Sequence, residues 1–93
     1  FFADNDIIAL DCIRALKEHG YRIPDDVSVV GFDDIPSCQL LEPPMTTTCV
    51  PKSFLGAQAM HQLLRLFADP ILPPVKVEIS TELVKRSTVR RLS

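Results

Sequence analysis

The sequence predicts an α/β fold, with an open, mostly parallel sheet and helices on both of its faces. Strand-like and helix-like patterns alternate along the 93 residues. One of these patterns, at residues 27–32, is a near-continuous apolar run typical of a strand buried on both faces in a parallel sheet. The helix-like patterns are bounded by capping residues, glycine or proline. Strands alternating with helices in this way are typical of sheets covered by helices.

The first helix is predicted over residues 7–18. Asp4 or Asn5 can cap its amino terminus, and Gly20 stands where a left-handed C-cap is favoured. Its polar face is narrow and most of its surface is apolar. Because one face of a sheet cannot cover so wide an apolar surface, a second partner is predicted for this helix.

The rest of the chain carries weaker patterns. A loop follows the central strand, and Pro51 suits the first position of a second helix. We predict one helical turn at 37–41, a short strand at 45–50, a helix at 53–67, a strand at 75–79 and a final strand at 82–86.

Polar residues follow two of the predicted strands directly. Asp33 and Asp34 come after Phe32, and Asn5 follows the apolar pair Phe1-Phe2. Ligands of open α/β sheets bind outside the carboxyl ends of the strands, and a carboxylate beside an amide suits a polyhydroxylated ligand. An alternative stays open at this point, in which the two aspartates form a turn and Asn5 only caps a helix.

Composition argues against several classes of protein. A net charge of −2 gives no general attraction to nucleic acid, and no apolar run approaches the ~20 residues of a membrane span. The three cysteines are scattered, which favours reduced thiols in the cytoplasm over disulfides or a metal site. No nucleophile and base stand in a catalytic pattern, so we expect neither an enzyme nor a cofactor.

Several ordered motifs point to one family. They are Asn5-Asp6 followed by Ala9-Leu10, IPDDVSVVGFDD at 23–34, Pro43-Pro44 with Thr46-Thr47, Gly56, and ELVKRST at 82–88. In this order and spacing the chain resembles the C-terminal part of the lactose/galactose-repressor (LacI/GalR) family of bacterial transcription regulators. The tail looks one residue shorter than the family's before Ser87.

The resemblance implies roles for individual residues. Asp33 and Asn5 would hydrogen-bond the hydroxyl groups of a sugar or nucleoside-like effector, Val50 would flank the ligand at a hinge, and Asp34 would be structural. Several relatives carry glutamine at the position of Val50. The apolar residue here removes one hydrogen bond and favours a ligand with an apolar edge.

The resemblance also implies assembly and domain organisation. The first helix would form a homodimer face, although ordinary core packing is the alternative for its apolar residues. The implied interface residues are Leu10, Ile13, Arg14, Leu40 and Leu41. Residues 1–50 and 75–93 would belong to the second lobe of a periplasmic-binding-protein-like effector domain, and the helix at 52–68 would pack on the first lobe. Operator DNA would be bound by an N-terminal helix-turn-helix, which these 93 residues do not contain. The competing interpretation is a solute-binding protein of the same fold.

Overall fold

The computed structural model describes residues 1–92 and contains two α-helices and two short strands within them. In chain order they are α1 (Asp6–Glu18), a 3-10 helix (Pro36–Gln39), β1 (Thr47–Cys49), α2 (Lys52–Ala68) and β2 (Glu82–Val84). β1 and β2 pair in antiparallel register, with Thr48 opposite Leu83. The chain divides into two compact units. The first comprises Phe1–Val50 and the chain from Glu82 onward, and the second comprises Pro51–Thr81.

Residues 28–33, called the central segment below, run through the middle of the first unit. Parallel bridges join Phe2 to Val30 on one side and Asp33 to Cys49 on the other. The backbone hydrogen bonds join Ala3 N to Val30 O at 2.9 Å, Val30 N to Phe1 O at 2.9 Å, Gly31 N to Thr46 O at 3.0 Å and Asp33 N to Thr48 O at 2.9 Å. The predicted strand therefore lies where a central parallel strand should, but each neighbour meets it at a single bridge, so it forms no continuous ladder.

Helix α1 begins and ends as its sequence predicts. Asn5 is the N-cap, and its side-chain Oδ1 accepts a hydrogen bond from the backbone N of Ile8 at 2.9 Å. At the other end, Gly20 follows the C-cap with φ of 86°, a left-handed conformation that glycine adopts without steric cost.

The core of the first unit lies between α1 and the central segment, and it corrects one predicted interface residue. Its buried apolar residues are Ala3, Ala9, Ile13, Ile23, Val29, Cys38 and Met45. Ile13 is only 5% exposed, so it packs inside its own chain rather than at a dimer face. Of the other predicted interface residues, Leu10 and Leu41 are half-buried, Arg14 is exposed, and Leu40 is 85% exposed.

The second unit differs more from the sequence-based expectation. Helix α2 starts after Pro51, which is its N-cap, and it has no buried residue. Residues 75–79 form no strand, and residues 75–81 belong to the same unit as α2 rather than to the first unit. The prediction of a strand at 75–79 was wrong, because alternation of apolar and polar residues does not by itself supply the hydrogen-bonded neighbour that a strand needs. Neither helix in the described part of the chain has the length and apolar character needed to cross a membrane.

Candidate functional site

The three predicted effector residues lie on adjacent segments of the first unit. Asn5 directly precedes Asp6, whose backbone N donates to Phe32 O at 2.9 Å. The backbone N of Asp33 donates to Thr48 O, and the bridge partner of Asp33 is Cys49, the residue before Val50. All three candidates, Asn5, Asp33 and Val50, are half-buried. The structure therefore brings them together where three parallel segments end.

The backbone turns sharply at the end of the central segment. Asp33 has φ of 119° and Asp34 has φ of 60°, both in the left-handed region that residues other than glycine rarely adopt. Asn5 does cap a helix, as the simpler interpretation expected, and the two aspartates directly follow a bend in the chain at Phe32. Neither fact removes a ligand role. The cap uses the side-chain oxygen Oδ1 of Asn5, and the side-chain nitrogen Nδ2 is a separate donor.

Asp34 is engaged in an ion pair. Its Oδ1 accepts from Arg86 Nη2 at 2.8 Å, and the two side chains are 19% and 14% exposed. Arg86 Nη1 also donates to the carbonyl oxygen of Met45 at 2.9 Å, and its backbone N donates to Thr46 Oγ1 at 2.9 Å. Arg86 thus connects the turn after the central segment to the residues at the start of β1.

Asp6 is the residue near the site that sequence reasoning missed. It is fully buried, and its Oδ1 accepts from Thr47 Oγ1 at 2.6 Å while its Oδ2 accepts from the backbone N of Ile35 at 2.9 Å. Burial raises the pKa of Asp6, but hydrogen bonds from Thr47, Ile35, Cys38 and Asp34 outweigh burial and hold the pKa below its ordinary value. The signal in the sequence was an aspartate at the first position of a helix, next to the candidate Asn5.

Gly31 provides the space for this carboxylate. A Cβ at residue 31 would lie 2.2 Å from Asp6 Oδ1 and 3.1 Å from Met45 Cε. The glycine in the GFDD motif is therefore needed for close packing, and its backbone is not in the left-handed region.

The three cysteines are free thiols in different environments. Cys38 is buried, and burial together with the neighbouring Asp6 carboxylate raises the pKa of its thiol to about 12. Cys12 and Cys49 are half-buried free thiols. Among residues 1–92, no three His, Cys, Asp or Glu side chains are grouped so that they could hold a metal ion.

Comparison with known proteins gives consistent matches over nearly the whole chain. Residues 1–89 match the family described as periplasmic binding protein-like domain. The HTH-type transcriptional repressor PurR of Mannheimia succiniciproducens is 40% identical over 92 residues, which are 99% of this chain and 28% of that protein. PurR of Histophilus somni is 40% identical over 91 residues, or 98% of this chain and 27% of that protein. The chain thus spans little more than a quarter of these relatives.

Solved structures give the same picture. A LacI family transcriptional regulator from Enterococcus faecalis V583 with bound ribose matches with a TM-score of 0.91 and 33% identity, over 99% of this chain and 34% of that one. The transcriptional regulator CelR in complex with cellobiose matches with a TM-score of 0.88 and 33% identity, over 94% of this chain and 27% of that one.

Proposed function

This chain belongs to the periplasmic binding protein-like domain family, in its LacI/GalR group, and from that premise we propose that it is the C-terminal part of the effector-binding and dimerisation domain of a bacterial transcriptional repressor. The observation that carries the proposal is the convergence of Asn5, Asp33 and Val50 on three adjacent segments. A solute-binding protein of the same fold is not favoured, because the named relatives are transcriptional regulators.

Each site residue has a distinct proposed role in ligand recognition. Asp33 accepts hydrogen bonds from two hydroxyl groups of the effector, and the side-chain amide of Asn5 donates one. Val50 packs against an apolar edge of the ligand, and Asp34 holds the turn through Arg86. The ligand is a sugar or a nucleoside-like molecule, a class supported by the ribose and cellobiose bound to related regulators. No cofactor is needed.

The partners follow from the same family assignment. We propose a cytoplasmic, non-catalytic homodimer that binds operator DNA through a helix-turn-helix outside these residues. The dimer face retains Leu10 and Arg14 of α1 together with Leu40 and Leu41, while Ile13 supports this face from the core. Effector binding shifts the lobes and thereby changes operator affinity through the dimer.

The proposal is tested by calorimetric titration of the full-length protein with ribose, cellobiose and a nucleoside. Charge-assisted hydrogen bonds contribute roughly 1.5–3 kcal/mol each, so Asp33→Asn should weaken effector binding at least ~10-fold. The matched variant Asp34→Asn removes the charge that pairs with Arg86, so it should lower stability more than affinity. Equal affinity losses in both variants, or none in Asp33→Asn, would contradict the assignment of Asp33.

Operator binding provides a second readout. Because Asp33 lies in the effector domain, Asp33→Asn should bind an operator fragment as the wild type does but should no longer respond to the ligand. A loss of operator binding without ligand would instead mean that the substitution damages the fold.

A further inference from the structure

The carboxylate of Asp6 connects every segment that carries a candidate effector residue. Asp6 follows Asn5 in α1, and its Oδ1 accepts from Thr47 Oγ1 at 2.6 Å in β1, three residues before Val50. Its Oδ2 accepts from the backbone N of Ile35 at 2.9 Å, just after the aspartate pair. A single buried side chain therefore sets the spacing among the three segments.

The same carboxylate holds a backbone turn in an unfavourable conformation. Asp33 and Asp34 both have positive φ, a conformation that persists only where the surroundings enforce it. The backbone N of Ile35, the residue that follows this pair, donates to Asp6 Oδ2 at 2.9 Å, so the acceptor contacts the end of the turn. Without this acceptor, the Ile35 amide at the end of a strained turn would lose its partner.

The site is built around this contact. Asp6 has no exposed surface, and the absence of a Cβ at Gly31 leaves room for Asp6 Oδ1. A buried carboxylate is costly unless donors compensate it, and here Thr47 and Ile35 each supply one. A helix start needs no such arrangement, because Asn5 already caps α1.

We propose that Asp6 is a positioning residue of the effector site, which fixes Asp33 relative to Asn5 and Val50 without touching the ligand. This inference rests on the proposed function, since it assigns the effector contacts to those three residues. Effector affinity should then depend on Asp6 through the orientation of Asp33.

A control must separate positioning from general stability. Thr88 is equally buried and also contacts the central segment, because its Oγ1 donates to Val29 O at 2.6 Å. The same Oγ1 accepts from Thr46 N at 2.9 Å. Its contact lies near the opposite end of the central segment from Asp33. Thr88→Val therefore removes two buried hydrogen bonds, to Val29 and to Thr46, without removing a contact of Asp6 or of the Ile35 amide.

The experiment compares Asp6→Asn with Thr88→Val in the full-length protein, at a temperature where circular dichroism shows both to be folded. The probe is whichever of ribose, cellobiose and a nucleoside the wild type binds. Asp6→Asn should weaken its binding about 10-fold, the equivalent of one ligand hydrogen bond, and Thr88→Val should change it no more than about twofold. Equal effects of the two variants would overturn the proposal.

A double-mutant cycle gives a readout that a merely structural role would not move. If Asp6 acts through Asp33, Asp6→Asn should cost little further affinity in an Asp33→Asn background, while its effect on stability should remain. Full additivity of the two affinity losses would overturn the proposal. If Asp6→Asn does not fold, Thr47→Val removes one donor and keeps the carboxylate, and its affinity loss should show the same coupling to Asp33.

Amide hydrogen exchange tests the positioning without any ligand. Asp6→Asn should reduce the protection of the Ile35 amide and leave that of Val30 unchanged, whereas unchanged protection of Ile35 would overturn the inference. If the wild type binds none of the three probes, the proposed function is contradicted, and this exchange measurement still decides whether Asp6 holds the turn.

Discussion

Replacing Gly31 by alanine should be among the most damaging single-methyl changes in the chain. The added Cβ would lie 2.2 Å from Asp6 Oδ1, 3.1 Å from Met45 Cε and 3.3 Å from Asp6 Cγ. Asp6 cannot move aside freely, because its carboxylate is held by Thr47 and Ile35. Overpacking costs about 1–3 kcal/mol, and disturbing hydrogen bonds to a buried charge adds a similar amount, so Gly31→Ala should cost about 2–6 kcal/mol.

The control for this change is Gly20→Ala, which tests the other reason for a glycine. Nothing lies within 4 Å of a Cβ at Gly20, but its φ is +86°, so alanine there should cost only about 1 kcal/mol of backbone strain. Urea unfolding of both full-length variants, followed by circular dichroism, compares the two losses. If Gly31→Ala is no more destabilising than Gly20→Ala, the close contact with Asp6 does not govern this position.

Three further predictions concern assembly, local stability and pH. Leu10→Lys should convert the proposed dimer to monomers in sedimentation analysis of the full-length protein, because it places a charge in an apolar seam, and an unchanged dimer would argue against this face. In the 93-residue chain alone, the amides of α2 should exchange much faster than those of Val30 and Gly31, since α2 has no buried residue, and uniform strong protection would show that α2 needs no partner. Because the folded-state pKa of Asp6 is lowered, its stabilisation is present above the unfolded pKa of about 4 and lost as the pH falls through the folded value. The free energy of unfolding of Asp6→Asn should therefore depend less on pH in the acid range. An unchanged pH dependence there would refute the role given to the Asp6 carboxylate.

The features that could be predicted from sequence depend on local chemistry. Asn5 and Gly20 mark the two ends of α1 because caps act within one turn of the helix. β1 and β2 lie within the predicted ranges, and the 3-10 helix overlaps the turn predicted at 37–41 but begins one residue earlier, at Pro36. The grouping of Asn5 and Asp33 was predictable too, since adjacent parallel strands bring their carboxyl ends to one edge.

The features that could not be predicted depend on distant partners. Ile13 and Leu10 lie on the same apolar surface of α1, and only the packing of the central segment shows that Ile13 belongs to the core. Apolar and polar residues alternate at 75–79 as in a strand, but this pattern does not supply a hydrogen-bonded neighbouring strand. The pairs Asp6–Thr47 and Asp34–Arg86 join residues 41 and 52 positions apart, and no local pattern encodes either contact.

The structural and ligand-binding interpretations of the GFDD motif are compatible, because different atoms serve each. Gly31 makes room for Asp6, and Asp34 pairs with Arg86, so these residues maintain the turn. This turn fixes the backbone of Asp33 beside β1, where Asp33 N donates to Thr48 O. A carboxylate can select among hydroxylated ligands only if its position is fixed, since a loosely held acceptor would adapt to many of them. If Asp33 binds the effector as proposed, the positive φ angles of Asp33 and Asp34 have a functional explanation, because buried contacts on one side of the turn would hold a rigid acceptor on the other.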